Sequence, residues 1–499
     1  MASPSSPPPE SGNVAHDVEQ RAARGGVVTA MGQATRAVAS GAGTLLLMRL
    51  LTPSDFGLVG MIVAITGFFD LLKDFGLTSA TVQRERIEHD EVSALFWINF
   101  AIGIALMLLN AAMAPVVALV YGRSELLPLT LALSTASALG ALPLQHEALL
   151  RRELRFEPIA WIATTSAAAA SIASVLAALG GLGAWALVIR QLVRLGVRAS
   201  LLWIACRWRP SRPKRVNVRE LVKFGAHVSG FQLTNYFERN FDNLLVGRFL
   251  GPQALGFYTK AYEVMRLPLD EVNRPLGTVV TPTLSRLLAA PDRYRAVYVS
   301  VVRTLLLFTV PLAPLSMFMA PWLIPSVLGH QWVGAVPVYQ WLALGLVTKP
   351  VLNTTIWIFI SQGRTSELLR WGIFATTVAC IAFAVGLPWG AVGVAMAYTL
   401  SDFVIRAPTL LTWIGRRGAV RTRDILACGI PAWICSAVLS ATYWALDTRL
   451  SDWSEPARVS VCAPASLLLG YGVVALTRSG REALVNSTRV FASLRRKRP

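Results

Sequence analysis

The sequence has few cysteines and none of the short motifs that mark the common enzyme classes. A phosphate-binding Walker loop, a His-Glu-x-x-His motif, a paired cysteine motif and a nucleophile constellation are all missing. The cysteines lie within or at the ends of apolar runs, as small packing residues do, and their spacing indicates neither a disulfide framework nor a metal site. We therefore expect no enzyme activity, no metal and no cofactor. The five cysteines are Cys206, Cys380, Cys428, Cys435 and Cys462.

The chain is also poor in long polar stretches, which excludes a soluble protein of this size. Hydrophobic residues make up 54% of its 499 residues, and the mean hydropathy is +0.52. A membrane-spanning helix needs about 20 apolar residues. The predicted fold class is therefore an all-α polytopic membrane protein with about 14 transmembrane helices. The predicted runs are roughly 27–50, 55–78, 93–120, 124–144, 158–180, 183–206, 220–250, 254–285, 297–320, 338–360, 370–387, 391–414, 425–446 and 456–477.

Acidic residues are outnumbered by basic ones, 28 against 47, and the formal net charge is +19. The basic residues are spread over the loops on one side, so anionic membrane lipids are expected partners and nucleic acid is not. With the N-terminus in the cytoplasm, 29 basic residues lie inside, and Arg123 and Arg449 lie outside. Because Lys and Arg favour the cytoplasmic side of short loops, we predict a multi-pass inner (plasma) membrane protein with both termini cytoplasmic.

Two segments of the chain, 26–57 and 225–256, are versions of one another. A shift of 199 positions aligns them without gaps and gives nine identities in 32 positions. Each copy is an apolar run that ends in Arg-x-Leu-x-Pro, followed by a short turn and a second apolar run. An internal repeat in a hydrophobic chain predicts a transporter built from two similar bundles, with the substrate handled between them.

The repeat defines the predicted domains, because the shift of 199 maps the first six helices onto the next six. Both copies start in the cytoplasm, so the repeats are parallel, and the last two helices have no counterpart and are expected at the periphery. The predicted segments are a disordered or interfacial N-terminus 1–24, an N-terminal bundle 25–206, a basic cytoplasmic linker 207–219, a C-terminal bundle 220–414, an extra helix pair 425–477 and a basic cytoplasmic tail 478–499.

Polar residues occupy one face of the first helix of each bundle. A charge at the centre of a spanning helix costs about 2.5–3.5 kcal/mol on insertion scales, so each charge needs a partner or a wet cavity. The helix that follows the second copy is also rich in charge. The matched stripes are Gln33, Arg36, Ser40 and Gly43, and Gln232, Asn235, Arg239 and Asp242; the charged helix contains Lys260, Glu263, Arg266, Asp270, Glu271 and Arg274.

Two interpretations of these groups remain open. The charges can pair with each other and hold the helices together, as the i, i+3 and i, i+4 spacings allow. Alternatively, they line a large water-filled cavity between the bundles. Lys349, and the pair Asp402 and Arg406, are further cavity or ion-pair candidates, whereas Arg49 and Arg248 are expected to be structural or snorkelling residues.

The cavity interpretation predicts an anionic substrate. Arginine binds phosphate oxygens in a bidentate manner and stays charged in a low dielectric, so such a cavity suits a diphosphate. The predicted substrate-binding residues are Gln33, Arg36, Gln232, Asn235, Arg239, Asp242, Lys260, Glu263, Arg266 and Arg274.

Several short motifs are spread over residues 25 to 415. They are the segment 49–59, Gly251-Pro252, Leu255-Gly256-Phe257-Tyr258, Ala261-Tyr262 with Leu267-Pro268, the segment 282–286, and Gly329-His330-Gln331-Trp332 followed by the segment 335–338. Together they resemble the Wzx-type, colanic-acid exporter-like branch of bacterial polysaccharide flippases in the multidrug/oligosaccharidyl-lipid/polysaccharide (MOP) exporter superfamily. The resemblance implies two six-helix bundles and alternating access.

The same resemblance implies the movement of a polyprenyl-diphosphate-linked glycan, an oligosaccharide repeat unit, from the cytoplasmic to the outer leaflet. The expected partners are that lipid-linked glycan and a polysaccharide polymerase of the same pathway. The family's cationic cavity corresponds in kind to Arg36 and Arg239, and the resemblance carries over no further ligand residue.

Three other functions compete with this expectation. An ion-coupled drug or metabolite antiporter of the same superfamily would need a cavity dominated by carboxylates, whereas the first helix has Arg36 and no acid. A membrane enzyme of the pathway would need a long outer loop, and the largest, 321–337, has 17 residues. A scaffold without transport activity would leave the intramembrane charges unexplained.

The topology makes the first testable prediction. Single cysteines introduced in 321–337 or 447–455 should react with a membrane-impermeant thiol reagent added outside, because these loops are predicted to be outer. Cysteines in 207–219 or 415–424 should react only after the membrane is opened. Labelling of 207–219 in intact cells would overturn the helix assignment.

Overall fold

The computed structural model describes residues 41–70, 77–84, 87–212, 219–416, 418–477 and 480–482. Helices dominate these ranges, which contain no β-strand. The helices are α1 (Gly41–Leu50), α2 (Pro53–Asp70), α3 (Leu77–Gln83), α4 (His89–Tyr121), α5 (Leu126–Ala141), α6 (Leu144–Arg152), α7 (Phe156–Leu179), α8 (Trp185–Ala205), α9 (Arg219–Arg286), α10 (Pro291–Thr309), α11 (Leu312–Leu328), α12 (Val336–Leu344), α13 (Lys349–Ser361), α14 (Thr365–Gly386), α15 (Gly390–Ser401), α16 (Ala407–Gly415), α17 (Thr422–Arg449) and α18 (Glu455–Leu476).

The all-α polytopic fold predicted from hydropathy is confirmed. Within the described ranges, seven helical segments are long and apolar enough to cross a membrane, and up to nine if each of two bent pairs forms one span. α8 and α9 are not among them, because α8 contains three arginines and α9 has many charged residues. Such helices can still cross where their charges face protein or water rather than lipid. The predicted count of fourteen crossings is therefore approximate.

α9 consists of two helices that meet at Gly251. This residue has φ 86° and ψ 178°, a conformation that is open to glycine and costly for other residues. The break coincides with the boundary between the predicted runs 220–250 and 254–285. The corresponding break in the first repeat lies between α1 and α2, which are bent by 119°.

By contacts, the chain divides into two compact units. The first contains 1–51 and 62–236, and the second contains 52–61 and 237–499. The division falls inside α9, later in the chain than the predicted linker 207–219, and the first half of α2 belongs to the second unit. The predicted domain bounds remain a prediction.

The first unit is held together by antiparallel helix pairs with small residues between them. α4 packs along α5, and α7 packs along α8. A Cβ added to Gly103 on α4 would lie 2.5 Å from the Cβ of Ala141 on α5, so glycine allows the close approach. Asn110 Nδ2 donates a hydrogen bond to Ser137 Oγ at 3.1 Å across the same pair.

The second unit has a larger aromatic core. Tyr294 and Tyr298 of α10 pack with Trp357 and Phe359 of α13, together with residues of α16 and α17. α17 packs along α10 and α11, and α18 packs along α17 and α11. α18 leaves apolar residues such as Leu468 exposed, as a helix facing lipid should.

At the turn between α14 and α15, the backbones of the two helices approach each other closely. A Cβ added to Gly386 would lie 2.4 Å from the carbonyl oxygen of Gly393, and backbone atoms cannot yield as a flexible side chain can. On the same helix, a Cβ added to Gly372 would meet nothing within 4 Å.

These two glycines form a matched pair for a stability test. We expect Gly386→Ala to destabilise the protein by roughly 1–3 kcal/mol through overpacking, whereas Gly372→Ala should be neutral or stabilising by about 0.5–1 kcal/mol. The measurement is thermal unfolding of the purified protein in detergent, monitored by size-exclusion chromatography. Equal midpoints for the two variants would contradict the packing described for this turn.

Candidate functional site

Three arginines lie on one face of α8, inside the first unit. Arg190, Arg194 and Arg198 follow one another at four-residue spacing, which places them on the same side of a helix. At a rise of about 1.5 Å per residue, the row covers roughly 12 Å along the helix axis. α8 contains no acidic residue. The predicted site residues did not include these arginines, although their regular spacing within an apolar run was a visible signal.

Neighbouring polar groups orient the first two arginines. Arg190 Nη2 donates to Oγ1 of Thr44 on α1 at 2.7 Å, which joins two helices of the first unit. Arg194 Nη2 donates to Oε1 of Gln191 on the same helix at 2.7 Å. These bonds hold the guanidinium groups in place, and each guanidinium has five N–H donors in all.

The third arginine belongs to a cluster around one buried carboxylate. Glu147 on α6 is only 7% exposed, and its two oxygens have different partners. Arg151 Nη2 donates to Oε1 at 2.7 Å, and Arg198 binds Oε2. Two cations therefore share one anion, and these three groups together keep one positive charge.

The second unit contains a cluster of the same composition. Asp402 is fully buried; Lys349 Nζ lies 3.0 Å from its Oδ2, and Arg406 Nη1 lies 2.7 Å from its Oδ1. Lys349 Nζ also donates to the hydroxyl of Tyr398 at 3.1 Å. The sequence left open whether these three charged residues line a cavity or form ion pairs. Their contacts show ion pairing.

An irregular turn holds this cluster between α15 and α16. Residues Asp402–Arg406 form a π-helical turn, and the N–H of Ala407 donates to the carbonyl oxygen of Asp402. Turns of this kind insert an extra residue in a helix and occur often at functional sites. Here both charged ends of the turn are buried.

A row of tyrosines connects this cluster to Asp242, one of the predicted site residues. Asp242 is 5% exposed and accepts hydrogen bonds from the Tyr258 hydroxyl at 3.0 Å and from the Asn243 N–H at 2.8 Å. Tyr258 stacks on Tyr262 with ring centroids 6.3 Å apart. Tyr262 in turn lies 6.5 Å from the ring of Tyr398. The predicted set omitted these tyrosines, although two of them follow at i, i+4 on one helix.

Three other predicted residues have defined contacts in the second unit. Lys260 forms an ion pair with Glu263 at 2.6 Å, and its Nζ lies 4.8 Å above the ring of Phe56. Arg266 lies over the Tyr262 ring at 5.7 Å. These contacts support the first interpretation of the charged helix, in which its groups pair locally.

The remaining predicted residues have no described side chains. Gln33 and Arg36 lie outside the described residues, and Gln232, Asn235, Arg239 and Arg274 lie on α9 where only the backbone is described. The proposed cavity that these residues would line therefore stays a prediction. Gly43, the last position of the first stripe, faces α7, since a Cβ there would lie 2.3 Å from Ser171 Oγ.

Comparison with known proteins identifies the class to which this helical fold with intramembrane cations belongs. Residues 46–337 match the family model described as polysaccharide biosynthesis protein. The chain therefore belongs to this family, the polysaccharide flippases of the MOP exporter superfamily. It is a membrane transport protein and not an enzyme.

Individual relatives agree with this assignment. The lipopolysaccharide biosynthesis protein WzxC of Escherichia coli (strain K12) is 25% identical over 409 residues, which cover 80% of this chain and 82% of the relative. The succinoglycan biosynthesis transport protein ExoT of Rhizobium meliloti (strain 1021) is 27% identical over 74% of this chain and 75% of the relative. The fold is similar to that of the lipid II flippase MurJ in its inward closed conformation, with a TM-score of 0.62, 16% identity, and coverage of 94% of this chain and 99% of that one.

The Asp402 cluster makes a prediction about stability. Asp402→Asn preserves the size of the side chain but leaves Lys349 and Arg406 without a shared counter-charge. Removing one partner of a buried pair costs about 3–5 kcal/mol, so we expect little folded protein in the membrane fraction. The measurement is the amount and thermal midpoint of the protein extracted in detergent.

Glu263→Gln is the matched control for that variant. It breaks the ion pair with Lys260, but the Glu263 side chain is 52% exposed. Exposed pairs contribute about 0–1 kcal/mol, so this variant should stay close to the wild type. Similar losses in both variants would show that the Asp402 cluster has no special structural role.

Proposed function

We propose that this protein moves a polyprenyl-diphosphate-linked oligosaccharide from the cytoplasmic to the outer leaflet by alternating access. The observation that carries the proposal is the row of arginines on α8 in a chain that belongs to the polysaccharide flippases. Substrates of this class have a long apolar lipid, a diphosphate and a polar glycan. Only the diphosphate and the glycan need a path that is shielded from the hydrocarbon.

The diphosphate is the part of the substrate that arginine recognises best. Its oxygens accept paired hydrogen bonds from the planar guanidinium, whose positive charge persists in a low dielectric. The spacing of about 6 Å between successive arginines on a helix allows a diphosphate to contact two of them at once. A row of three sites can therefore pass the group from one arginine to the next.

The predicted topology gives this row a direction. α8 runs from the outer side to the inner side, so Arg198 lies nearest to the cytoplasm and Arg190 furthest from it. The excess positive charge of the Glu147 cluster adjoins the inner end of the row. This arrangement favours entry of an anionic headgroup from the cytoplasmic leaflet.

The matched stripes of the repeat are part of the same proposal. Arg36 and Arg239 are proposed to contact the diphosphate from the first helix of each bundle. Gln33, Gln232, Asn235 and Arg274 are proposed to contribute polar groups for the glycan. Among the described residues, Lys260, Glu263 and Asp242 already have protein partners, which favours structural roles for them.

The same charges argue against the antiporter of organic cations. Such a transporter needs carboxylates that are available to a positively charged ligand. Glu147 and Asp402 each bind two cations of the protein itself.

The proposal is tested by complementing a deletion strain with α8 variants. Arg194→Gln removes the charge and should lower surface or secreted polysaccharide by about tenfold or more, since a charge-assisted hydrogen bond contributes roughly 1.5–3 kcal/mol. Lipid-linked repeat units should accumulate on the inner leaflet. Arg194→Lys should rescue only in part, because a point charge cannot reproduce the bidentate geometry.

Arg207→Gln is the matched control, because Arg207 is exposed just beyond α8. Membrane abundance of each variant is measured by immunoblot, so that lost export is separated from lost protein. Full export by Arg194→Gln would remove the arginine row from the proposed mechanism. Normal polysaccharide in the deletion strain, combined with sensitivity to cationic drugs, would favour the antiporter.

A further inference from the structure

Arg303 is a cation on α10 that the proposed function does not use. It lies inside the predicted membrane-spanning run 297–320, and its Nε is buried without a hydrogen-bond partner in the described part of the chain. Within the same ranges, Arg303 forms no ion pair. A charge inside a membrane needs a counter-charge or water, so Arg303 has room for an anion from outside the protein.

The acid nearest in register on α17 is already paired. Asp424 Oδ2 accepts hydrogen bonds from Arg295 Nε and from the Arg421 N–H, both at 2.8 Å. Cys428 on α17 faces Arg303. The Cys428 thiol donates to the Asp424 carbonyl oxygen at 2.9 Å. Because a thiol is only a weak acceptor, Cys428 does not neutralise the guanidinium.

The Arg303 side chain points towards the N-terminal end of α10. α10 and α17 run in parallel, since Arg295 pairs with Asp424 and the Cys428 sulfur contacts the Val299 carbonyl oxygen at 3.6 Å. Cys428 therefore lies about one turn nearer to that end than Arg303. Helical side chains lean towards the N-terminus of their helix, which for α10 is the predicted cytoplasmic side. The guanidinium thus reaches towards the inner lipid headgroups, as a snorkelling arginine does.

A second arginine lies at a similar level, beside the end of α18. The Tyr471 hydroxyl on α18 donates to the Leu307 carbonyl oxygen on α10 at 3.0 Å, and α18 runs back towards the predicted inner side. One turn further in that direction, this register brings Arg303 level with Ala475. Arg481 Nε donates to the Ala475 carbonyl oxygen at 2.7 Å. Arg481 is exposed, and it has no ion pair among the described residues.

We propose that the junction of α10, α17 and α18 binds the phosphate of an anionic phospholipid from the inner leaflet, through Arg303 and Arg481. Basic groups between helices on the cytoplasmic side are typical sites for lipid headgroups. Guanidinium groups bind phosphate oxygens with paired, charge-assisted hydrogen bonds. Exposed apolar residues on α17 and α18, such as Ile430 and Leu476, offer surface for the acyl chains.

The bound lipid fastens the extra helix pair to the rest of the second unit. α17 and α18 have no counterpart in the internal repeat, and a phosphate held by Arg303 and Arg481 bridges α10 and α18. The two helices of the pair already approach closely, since a Cβ on Gly470 would lie 3.1 Å from the Cys435 carbonyl oxygen. The inference is independent of the proposed function, because a phospholipid can bind here whatever the protein transports.

A binding experiment uses the full-length protein, purified in detergent and stripped of lipid. Phosphatidylglycerol is added in increasing amounts, and bound lipid is counted by native mass spectrometry. Arg303→Gln should weaken binding about tenfold, because a charge-assisted interaction is lost. Arg303→Lys should weaken it less, since the charge remains. The matched control is Arg293→Gln, because Arg293 is exposed in the first turn of the same helix. Unweakened binding by Arg303→Gln would overturn the site.

Thermal unfolding separates a lipid site from a structural charge. Without lipid, Arg303→Gln should unfold at or above the wild-type midpoint, because it has lost an uncompensated charge. Phosphatidylglycerol should raise the midpoint of the wild type and of Arg293→Gln, but not that of Arg303→Gln, since only a bound ligand stabilises the folded state. A variant that fails to fold, or unfolds earlier without lipid, would show that Arg303 has a protein partner, and the proposal would be wrong.

Two further lipids identify the source of the phosphate. Phosphatidylcholine has a phosphate but no net charge, and it should bind more weakly than phosphatidylglycerol. A polyprenyl diphosphate should bind here no more tightly than phosphatidylglycerol. If it binds more tightly, and Arg303→Gln weakens that binding while Arg194→Gln does not, the site belongs to the transported lipid and the phospholipid assignment is wrong.

Discussion

A charge inside a membrane needs a counter-charge or contact with water, and counter-charges organise one cluster in each unit. Glu147 in the first unit and Asp402 in the second are each buried, and each binds two cations through its two oxygens. Removing either carboxylate would leave two positive charges facing each other in a low dielectric. The helices that carry these groups are therefore fixed relative to one another within each unit by electrostatics as well as by packing.

Around Glu147, two cations share one anion, so these three groups together keep one positive charge. Two cations to one anion is an inefficient way to stabilise a fold, since one cation would neutralise the carboxylate. In the proposed function, the negative charge of the substrate balances this positive charge. The arginine row on α8 continues from Arg198 along the helix, and the proposed diphosphate has the oxygens that guanidinium groups bind best. The match to the polysaccharide biosynthesis family shows the class of protein, and the charge pattern supports the substrate proposed for it.

The internal repeat has a physical role beyond the duplication of helices. The turns that follow Pro53 and Pro252 fit each other because Gly57 and Gly256 have no side chain: a Cβ on Gly57 would lie 1.8 Å from the carbonyl oxygen of Pro252, and a Cβ on Gly256 would lie 1.9 Å from that of Pro53.

The sequence by itself determined the helical membrane fold, the repeat and the family. Hydropathy and repeat spacing depend on local composition, so they can be read without coordinates. The ion pairs Lys260 to Glu263 and Asp402 to Arg406 could also be predicted from the sequence, because helix geometry brings residues at i, i+3 and i, i+4 together. The arginine row on α8 was equally readable from its spacing.

The tertiary structure decided which distant groups share a carboxylate. Lys349 forms an ion pair with Asp402 from another helix. Arg198 binds Glu147, which lies 51 positions earlier in the chain. Tyr258 donates a hydrogen bond to Asp242, on the other side of the break at Gly251. The tertiary structure also decided that the two repeat turns touch. These contacts depend on how helices cross, and crossing is set by packing over the whole unit, which no local pattern in the sequence encodes.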